Sequence, residues 1–144
     1  MRIVFDSNVL VRAFAWESGP ANAALYAVLA SAHTLILSSE ILYEVSRVLR
    51  RPRIVKVHQR PEDEIYRYAE ALRGSALFVP LQTSRAIPIR DAKDAAVIET
   101  ALAGRATAIC TRDRDFFAEP AAGFLEASGI ELLTDLDLLR RLRQ

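Results

Sequence analysis

The sequence predicts an α/β fold, a three-layer α/β/α sandwich with a mostly parallel central sheet. Short apolar runs alternate along the chain with segments of helical periodicity, which is typical of parallel strands joined by crossover helices. Hydrophobic residues make up 51% of the 144 residues, which is enough to build a buried core. No repeat, low-complexity tract or linker divides the chain, so we expect one domain over residues 1–144.

Five short apolar runs are the predicted strands. In chain order they are Arg2–Phe5, Thr34–Leu37 and residues 76–80, 106–110 and 130–133. The third run ends at Pro80, which cannot donate to a ladder of hydrogen bonds. Each run is too short to be a helix of ordinary length, which favours strands.

The segments between these runs have helical patterns and local start and stop signals. The predicted helices cover residues 9–16, 19–32, 38–51, 61–74, 91–104 and 135–144, with a short helical stretch before the last strand. Pro20 suits the first turn of the second helix, and serines at 38 and 39 suit the start of the third. Pro52 ends the third helix, and Gly104 ends the fifth.

Two aspartates follow predicted strands directly. Asp6 comes after the first strand and Asp113 comes just after the fourth. In open parallel sheets, ligands bind outside the carboxyl ends of the strands, so both aspartates are placed where such a fold does chemistry. Singly, each would more often be a solvated loop residue.

Asp94 has a more unusual position. At 100° per residue it falls in the middle of the apolar stripe of its helix, between Val97 and Ile98. A buried carboxylate is costly unless it is paired or binds a cation. Asp91 lies outside the stripe and suits a capping role. Glu44 falls at the border of its own stripe, and by pattern alone it is a surface residue paired with Arg47 or Arg51.

Several carboxylates meeting at one sheet edge would repel one another unless a cation lay among them. Oxygen ligands without His or Cys suit Mg²⁺ or Mn²⁺. Such an ion serves phosphodiester hydrolysis by activating water and neutralising charge on the leaving oxygen. Ser7 and Asn8 can orient the ligands through hydrogen bonds without adding charge.

The segments "VFDSN", "ILYEVSRVL", "DAKDAAVIETALAGRA" and "AICTRDRDF", in this order, resemble the PIN-domain family over essentially the whole chain. The chain's size resembles that of the VapC-like toxins of toxin–antitoxin pairs. The resemblance implies a Mg²⁺- or Mn²⁺-dependent endoribonuclease that acts on RNA, is inhibited by a cognate antitoxin and forms a homodimer. By position it implies that Asp6, Glu44, Asp94 and Asp113 are the acidic metal-binding and catalytic set. Ser7, Asn8, Thr111 and Asp115 would support them.

Three of these assignments have competitors nearby in the sequence. Asp91 competes with Asp94, but the helical face and the motif both favour Asp94. Asp115 competes with Asp113, which is nearer the strand and is therefore preferred. Glu40 competes with Glu44, but its place in the first helical turn is explained by the helix dipole.

The segment from residue 47 to residue 60 contains six Lys or Arg residues and no acid. Taken alone, it is a solvated helix end and loop. We expect Arg47, Arg50, Arg51 and Arg53 to continue the helix that carries Glu44 and to contact RNA phosphates. His33 and His58 are expected at the surface.

Composition and local motifs exclude several other classes of function. The net charge is only +1, and Cys110 is the single cysteine, which fits a reducing cytoplasm. No apolar run approaches a membrane span of about 18 residues, and the first residues do not form a signal peptide. A phosphatase with Asp6 as nucleophile would need a second acid at position 8, where Asn8 stands. The remaining alternative is a PIN-like fold that binds nucleic acid or serves as a scaffold without catalysis.

Overall fold

The computed structural model describes residues 1–82 and 86–144. Within these residues five strands form one parallel sheet in the order β3-β2-β1-β4-β5. The strands are β1 Arg2–Phe5, β2 Thr34–Leu37, β3 Leu77–Phe78, β4 Ala108–Cys110 and β5 Glu131–Leu133. The predicted α/β class and its parallel sheet are confirmed.

Nine helices are found in the same residues. They are α1 Ser7–Ala15, α2 Pro20–Leu29, α3 Ser39–Leu49, α4 Pro52–His58, α5 Glu62–Ser75, α6 Ala92–Ala103, α7 Arg114–Phe117, α8 Ala121–Ala127 and α9 Asp135–Leu142. None of the helices in the described ranges is long and apolar enough to cross a membrane.

The strand order explains the layers. From β1 the chain moves through β2 to β3 in one direction, and from β3 it returns to β4 and then β5 on the other side of β1. Crossovers between parallel strands are right-handed. The helices between β1 and β3 (α1 to α5) therefore lie on one face of the sheet, and those between β3 and β5 (α6 to α8) lie on the other. The gap between β1 and β4, where the direction reverses, is the switch point at which such sheets bind ligands.

The sheet is buried between these layers. Ile3, Ile36 and Ile109, on the three central strands, are fully buried. The side chain of Ser38 ties two helices together, because its Oγ accepts from the amide of Ile41 at the start of α3 and lies 2.8 Å from the Thr100 hydroxyl on α6. This bond fixes α3 against α6, the helices that carry Glu44 and Asp94.

Most differences from the predicted boundaries occur at element ends. The first helix begins at Ser7, not at residue 9, because the carbonyl of Asp6 already accepts from the amides of Val9 and Leu10. The third and fourth strands shorten to Leu77–Phe78 and Ala108–Cys110, which are the residues that pair with β2 and β1.

The basic segment was predicted wrongly. The helix carrying Glu44 ends at Leu49, and a separate helix, α4, runs over Pro52–His58. Proline at the first position of α4 cannot continue the preceding helix, but its fixed φ is suited to starting a new one. Arg50 and Arg51 therefore lie between the two helices, and Arg53 lies on α4, so they do not extend α3.

His58 was also placed wrongly, because it is buried. Its Nδ1 accepts from the Arg60 amide at 2.9 Å, and its Nε2 lies 3.0 Å from the Leu49 carbonyl. With Nδ1 accepting, Nε2 carries the proton and donates to that carbonyl. The ring also packs edge-on against Phe14, with centroids 5.2 Å apart. The short α4 turns the chain back and brings His58 under the surface.

Candidate metal centre

The site forms where β1 and β4 end side by side. Phe5 and Cys110 are paired in register, and the amide of Asp6 donates to the Cys110 carbonyl at 2.9 Å. The residues that follow, Asp6 on one strand and Thr111 on the other, are therefore brought next to each other. This is the switch point of the sheet. Asp6 and Asp113 therefore follow neighbouring strands at the same edge, as predicted.

Asp94, Asp113 and Asp115 form the acidic centre of this edge. One carboxylate oxygen from each residue can be chosen so that all three lie within 4.8 Å of one another. Asp113 also caps α7, because its Oδ1 accepts from the Asp115 amide at 2.9 Å. The tight turn made by this cap brings Asp115 to the same side as Asp113, so the two residues that competed in the sequence lie together in the structure.

Asp6 lies beside the trio but is not a member of it. Its side chain is buried, and its Oδ2 accepts from the Thr111 hydroxyl at 2.8 Å. The Ser7 hydroxyl is 3.4 Å from Oδ1. Burial raises the pKa of Asp6, the Thr111 hydrogen bond opposes this, and repulsion from Asp113 raises it further. Thr111 also accepts from the Asp113 amide at 3.0 Å, and so it links both carboxylates.

Among the acids of the site, Asp94 has a strongly raised pKa. As the apolar stripe predicted, it is buried on the sheet side of α6. Burial, followed by repulsion from Asp113 and Asp6, raises the pKa of Asp94 to about 7. Asp91 instead caps α6 by accepting from the Lys93 amide at 2.8 Å. Because crowded carboxylates of this kind are stabilised by a bound cation, the donor set fits a divalent ion with oxygen ligands.

Glu44 lies apart from the trio. Its side chain is only 13% exposed and is held by Arg47, with the nearest N–O distance 2.9 Å, and by Lys93 at 3.7 Å. The predicted pairing with Arg47 is present, but Glu44 is less exposed than a surface glutamate. It borders a cleft of about 300 Å³ between α3 and α6, which Ser7 also lines.

The other predicted residues are more dispersed. Asn8 is exposed on the first turn of α1, whereas Ser7 is buried. Arg50 pairs with Glu62 at 2.5 Å, Arg51 is half-buried, and Arg53 is exposed. Two of the four arginines, Arg47 and Arg50, therefore already bind carboxylates.

Asp135 is a buried acid near the site that the sequence patterns do not single out. Asp135 is fully buried at the start of α9, and its Oδ1 accepts from the Nε of Arg112 at 2.7 Å. A signal for it exists in the sequence, because Asp135 comes two residues after a strand, close to a carboxyl end of the sheet. The pattern of the segment "DLDLLRRLRQ" by itself predicts only a helix.

Comparison with known proteins agrees with this architecture. A profile of the PIN domain matches residues 2–115. One structurally similar chain comes from a crystal structure of VapBC2 from Rickettsia felis bound to a DNA fragment from their promoter. It is 13% identical, with a TM-score of 0.63, and the match covers 93% of this chain and 98% of that one. No curated protein sequence matches. Because the PIN profile covers most of the sequence, from β1 through the acids after β4, the chain belongs to the PIN-domain family.

Proposed function

We propose that this protein is a divalent-metal-dependent endoribonuclease that hydrolyses phosphodiester bonds of RNA. The observation that carries the proposal is the cluster of Asp94, Asp113 and Asp115 at the switch point of a PIN-domain sheet, with Asp6 beside it. The crowding of these acids calls for a cation, and an oxygen-only site suits Mg²⁺ or Mn²⁺.

The residues at this site have different roles. Asp94, Asp113 and Asp115 would hold the ion, and Asp6 would complete its ligands from the buried side. When bound, the ion would polarise the phosphate and activate water. The Thr111 hydroxyl keeps Asp6 oriented through the 2.8 Å hydrogen bond, and Ser7 assists from the other oxygen. Glu44 borders the adjoining cleft, from which it would position water or a second ion.

We further propose that the protein is the toxin of a toxin–antitoxin pair, acting in the cytoplasm as a homodimer and inhibited by a cognate antitoxin. The proposal is supported by the PIN-domain family and by the shared fold with a chain of the VapBC2 structure. Co-expression with the neighbouring reading frame tests it, since an antitoxin should restore growth and copurify with the chain.

The enzymatic proposal is tested by incubating the protein with pooled cellular RNA. We expect cleavage with Mg²⁺ or Mn²⁺, no cleavage with a chelator, and a loss of about 100-fold or more in the Asp94→Asn variant, which removes a metal-binding charge. The matched control is Asp91→Asn on the same helix, which keeps the capping oxygen and should cleave normally.

Equal cleavage in every lane would identify a contaminating nuclease and contradict the proposal. Metal-dependent RNA binding without any cleavage would instead favour the non-catalytic binding module.

A further inference from the structure

We propose that a pocket beside the acids, formed by α1, the start of α2 and the loop after β4, binds one backbone phosphate of the RNA next to the cut, with Trp16 stacking on a neighbouring base. The inference rests on the proposed nuclease function and names a subsite for its substrate. The pocket has a volume of about 240 Å³ and is lined by Arg12, Trp16, Ser18, Arg112, Asp135 and the first turn of α2.

The pocket lies next to the acidic edge along the chain, because its residue Arg112 is flanked in sequence by two residues of that edge. Arg112 stands between Thr111, which holds Asp6, and Asp113 of the trio. Asp135 follows β5, the strand next to β4, so the pocket lies at the same carboxyl edge of the sheet. A strand of RNA crossing that edge over the acids would reach the pocket within the neighbouring nucleotides.

The charges in the pocket do not balance. It contains two guanidinium groups, from Arg12 and Arg112, but a single carboxylate, from Asp135. Burial lowers the pKa of Arg12, Asp135 opposes this, Arg112 lowers the pKa further, and Asp6 of the acidic edge raises it. The excess positive charge favours an anion as the ligand.

Hydrogen bonding gives an independent signal. Across residues 1–82 and 86–144, the buried side-chain polar atoms without a partner are the Nε and Nη2 of Arg12 and the Oδ2 of Asp135. All three belong to residues that line this one pocket. Buried polar groups are normally satisfied by protein, water or ligand. The two Arg12 nitrogens are donors that an anion would satisfy, whereas the Asp135 Oδ2 is an acceptor that needs a donor, such as a guanidinium of the same pocket.

Arg112 is set up to bind a phosphate. Its Nε donates to Asp135, which is fixed in turn by the amide of Leu136 at 3.1 Å from the same oxygen. Its side chain is 42% exposed, and its two terminal nitrogens have no hydrogen-bond acceptor within the described ranges. A guanidinium held in this way presents a fixed fork, the geometry that matches phosphate oxygens.

Two further features suit a nucleotide. The first turn of α2, a helix of ten residues, lines the pocket and adds partial positive charge. Trp16 is 49% exposed at the pocket, and aromatic side chains of this kind stack on bases of single-stranded RNA without requiring a particular sequence.

The proposal can be tested directly because Trp16 is the single tryptophan of the chain. Its fluorescence is followed while a short single-stranded RNA is added in the presence of a chelator, so that binding is measured without cleavage. We expect the emission to change on binding. Ser18→Glu, which places a negative charge at the pocket, should weaken RNA binding by about tenfold or more and lower the salt slope of log K by about 0.7.

Arg67→Gln, which removes an exposed charge on α5, should bind RNA as the parent protein does. Ser18→Gln has the size of Ser18→Glu without its charge, so the difference in RNA affinity between these two variants isolates the effect of the charge. Arg112→Gln should weaken binding as Ser18→Glu does. Because that change leaves Asp135 unpaired and can destabilise the fold, Ser18→Glu, at an exposed residue, is the deciding variant.

Three results would overturn the subsite: an unchanged Trp16 emission, equal RNA affinity of Ser18→Glu and Ser18→Gln, or inorganic phosphate binding as tightly as RNA. Each leaves metal-dependent cleavage intact and so is distinct from failure of the nuclease proposal. Conversely, RNA-dependent quenching that Ser18→Glu weakens, in a protein that cleaves nothing, would support the subsite and contradict the nuclease.

Discussion

Replacing Asp94 with asparagine should make the metal-free protein more stable, although it should abolish the proposed activity. The pKa of Asp94 is raised from 3.8 to about 7 by burial and by repulsion from Asp113 and Asp6. A carboxyl group with a raised folded-state pKa favours folding most at pH values below its unfolded pKa. That contribution is lost as the pH rises through the folded-state pKa.

The size of the effect follows from the shift. Ionising Asp94 in the folded chain costs at most about 4 kcal/mol relative to the unfolded chain. Because Asp115 is exposed and water screens the cluster, we reduce this to about 2 kcal/mol. For a chain of this length, the melting temperature of Asp94→Asn should then exceed that of the parent by about 6 °C above pH 7.

Thermal melts followed by circular dichroism in a chelator measure the effect across pH. The difference should shrink towards zero below about pH 3, where Asp94 is protonated in both states. Adding Mn²⁺ should make the melting temperature of the parent protein the higher of the two, because the parent binds the ion better and is stabilised by it. Asp91→Asn, which removes an exposed charge and keeps the cap of α6, should melt close to the parent. A variant no more stable than the parent in chelator at high pH would refute the idea that these acids repel one another.

Two further predictions concern groups that hold the site and the fold. Thr111→Val removes the donor to Asp6 and should destabilise the protein by about 1–3 kcal/mol in urea unfolding, whereas Thr111→Ser, which keeps the hydroxyl, should be near-normal. Equal stability of the two variants would mean that this hydrogen bond contributes nothing. His58→Ala removes the donor to the buried Leu49 carbonyl and should cost about 2 kcal/mol, whereas His33→Ala should cost less than about 1 kcal/mol. Equal losses at both histidines would contradict the structural role given to His58.

Much of the fold could be predicted because its signals are local. Strand runs such as Arg2–Phe5 are apolar on both faces, as parallel strands buried between helix layers must be. The burial of Asp94 followed from its place in the apolar stripe of one helix, and its site from the rule that ligands bind at the carboxyl ends of strands. These arguments need only a helical or strand period and the chain order.

The failures have a common cause. The length of the helix carrying Glu44 and the depth of His58 depend on where α4 turns back against Phe14, which is a contact between distant segments. The proximity of Asp115 to Asp94 and Asp113, which the sequence left open, also depends on the turn capped by Asp113. The periodicity of the local sequence does not specify contacts or turns of this kind.

The sequence by itself determined the alternation of strands and helices, and with it the arrival of acids at strand ends, because hydrophobic period and element order are properties of the chain alone. Only the tertiary structure decided which acids share a site and that Arg12, Arg112 and Asp135 meet beside them. The physical reason is that electrostatic repulsion and hydrogen-bond satisfaction depend on distances of a few ångströms across the fold. Spacing along the chain does not specify those distances.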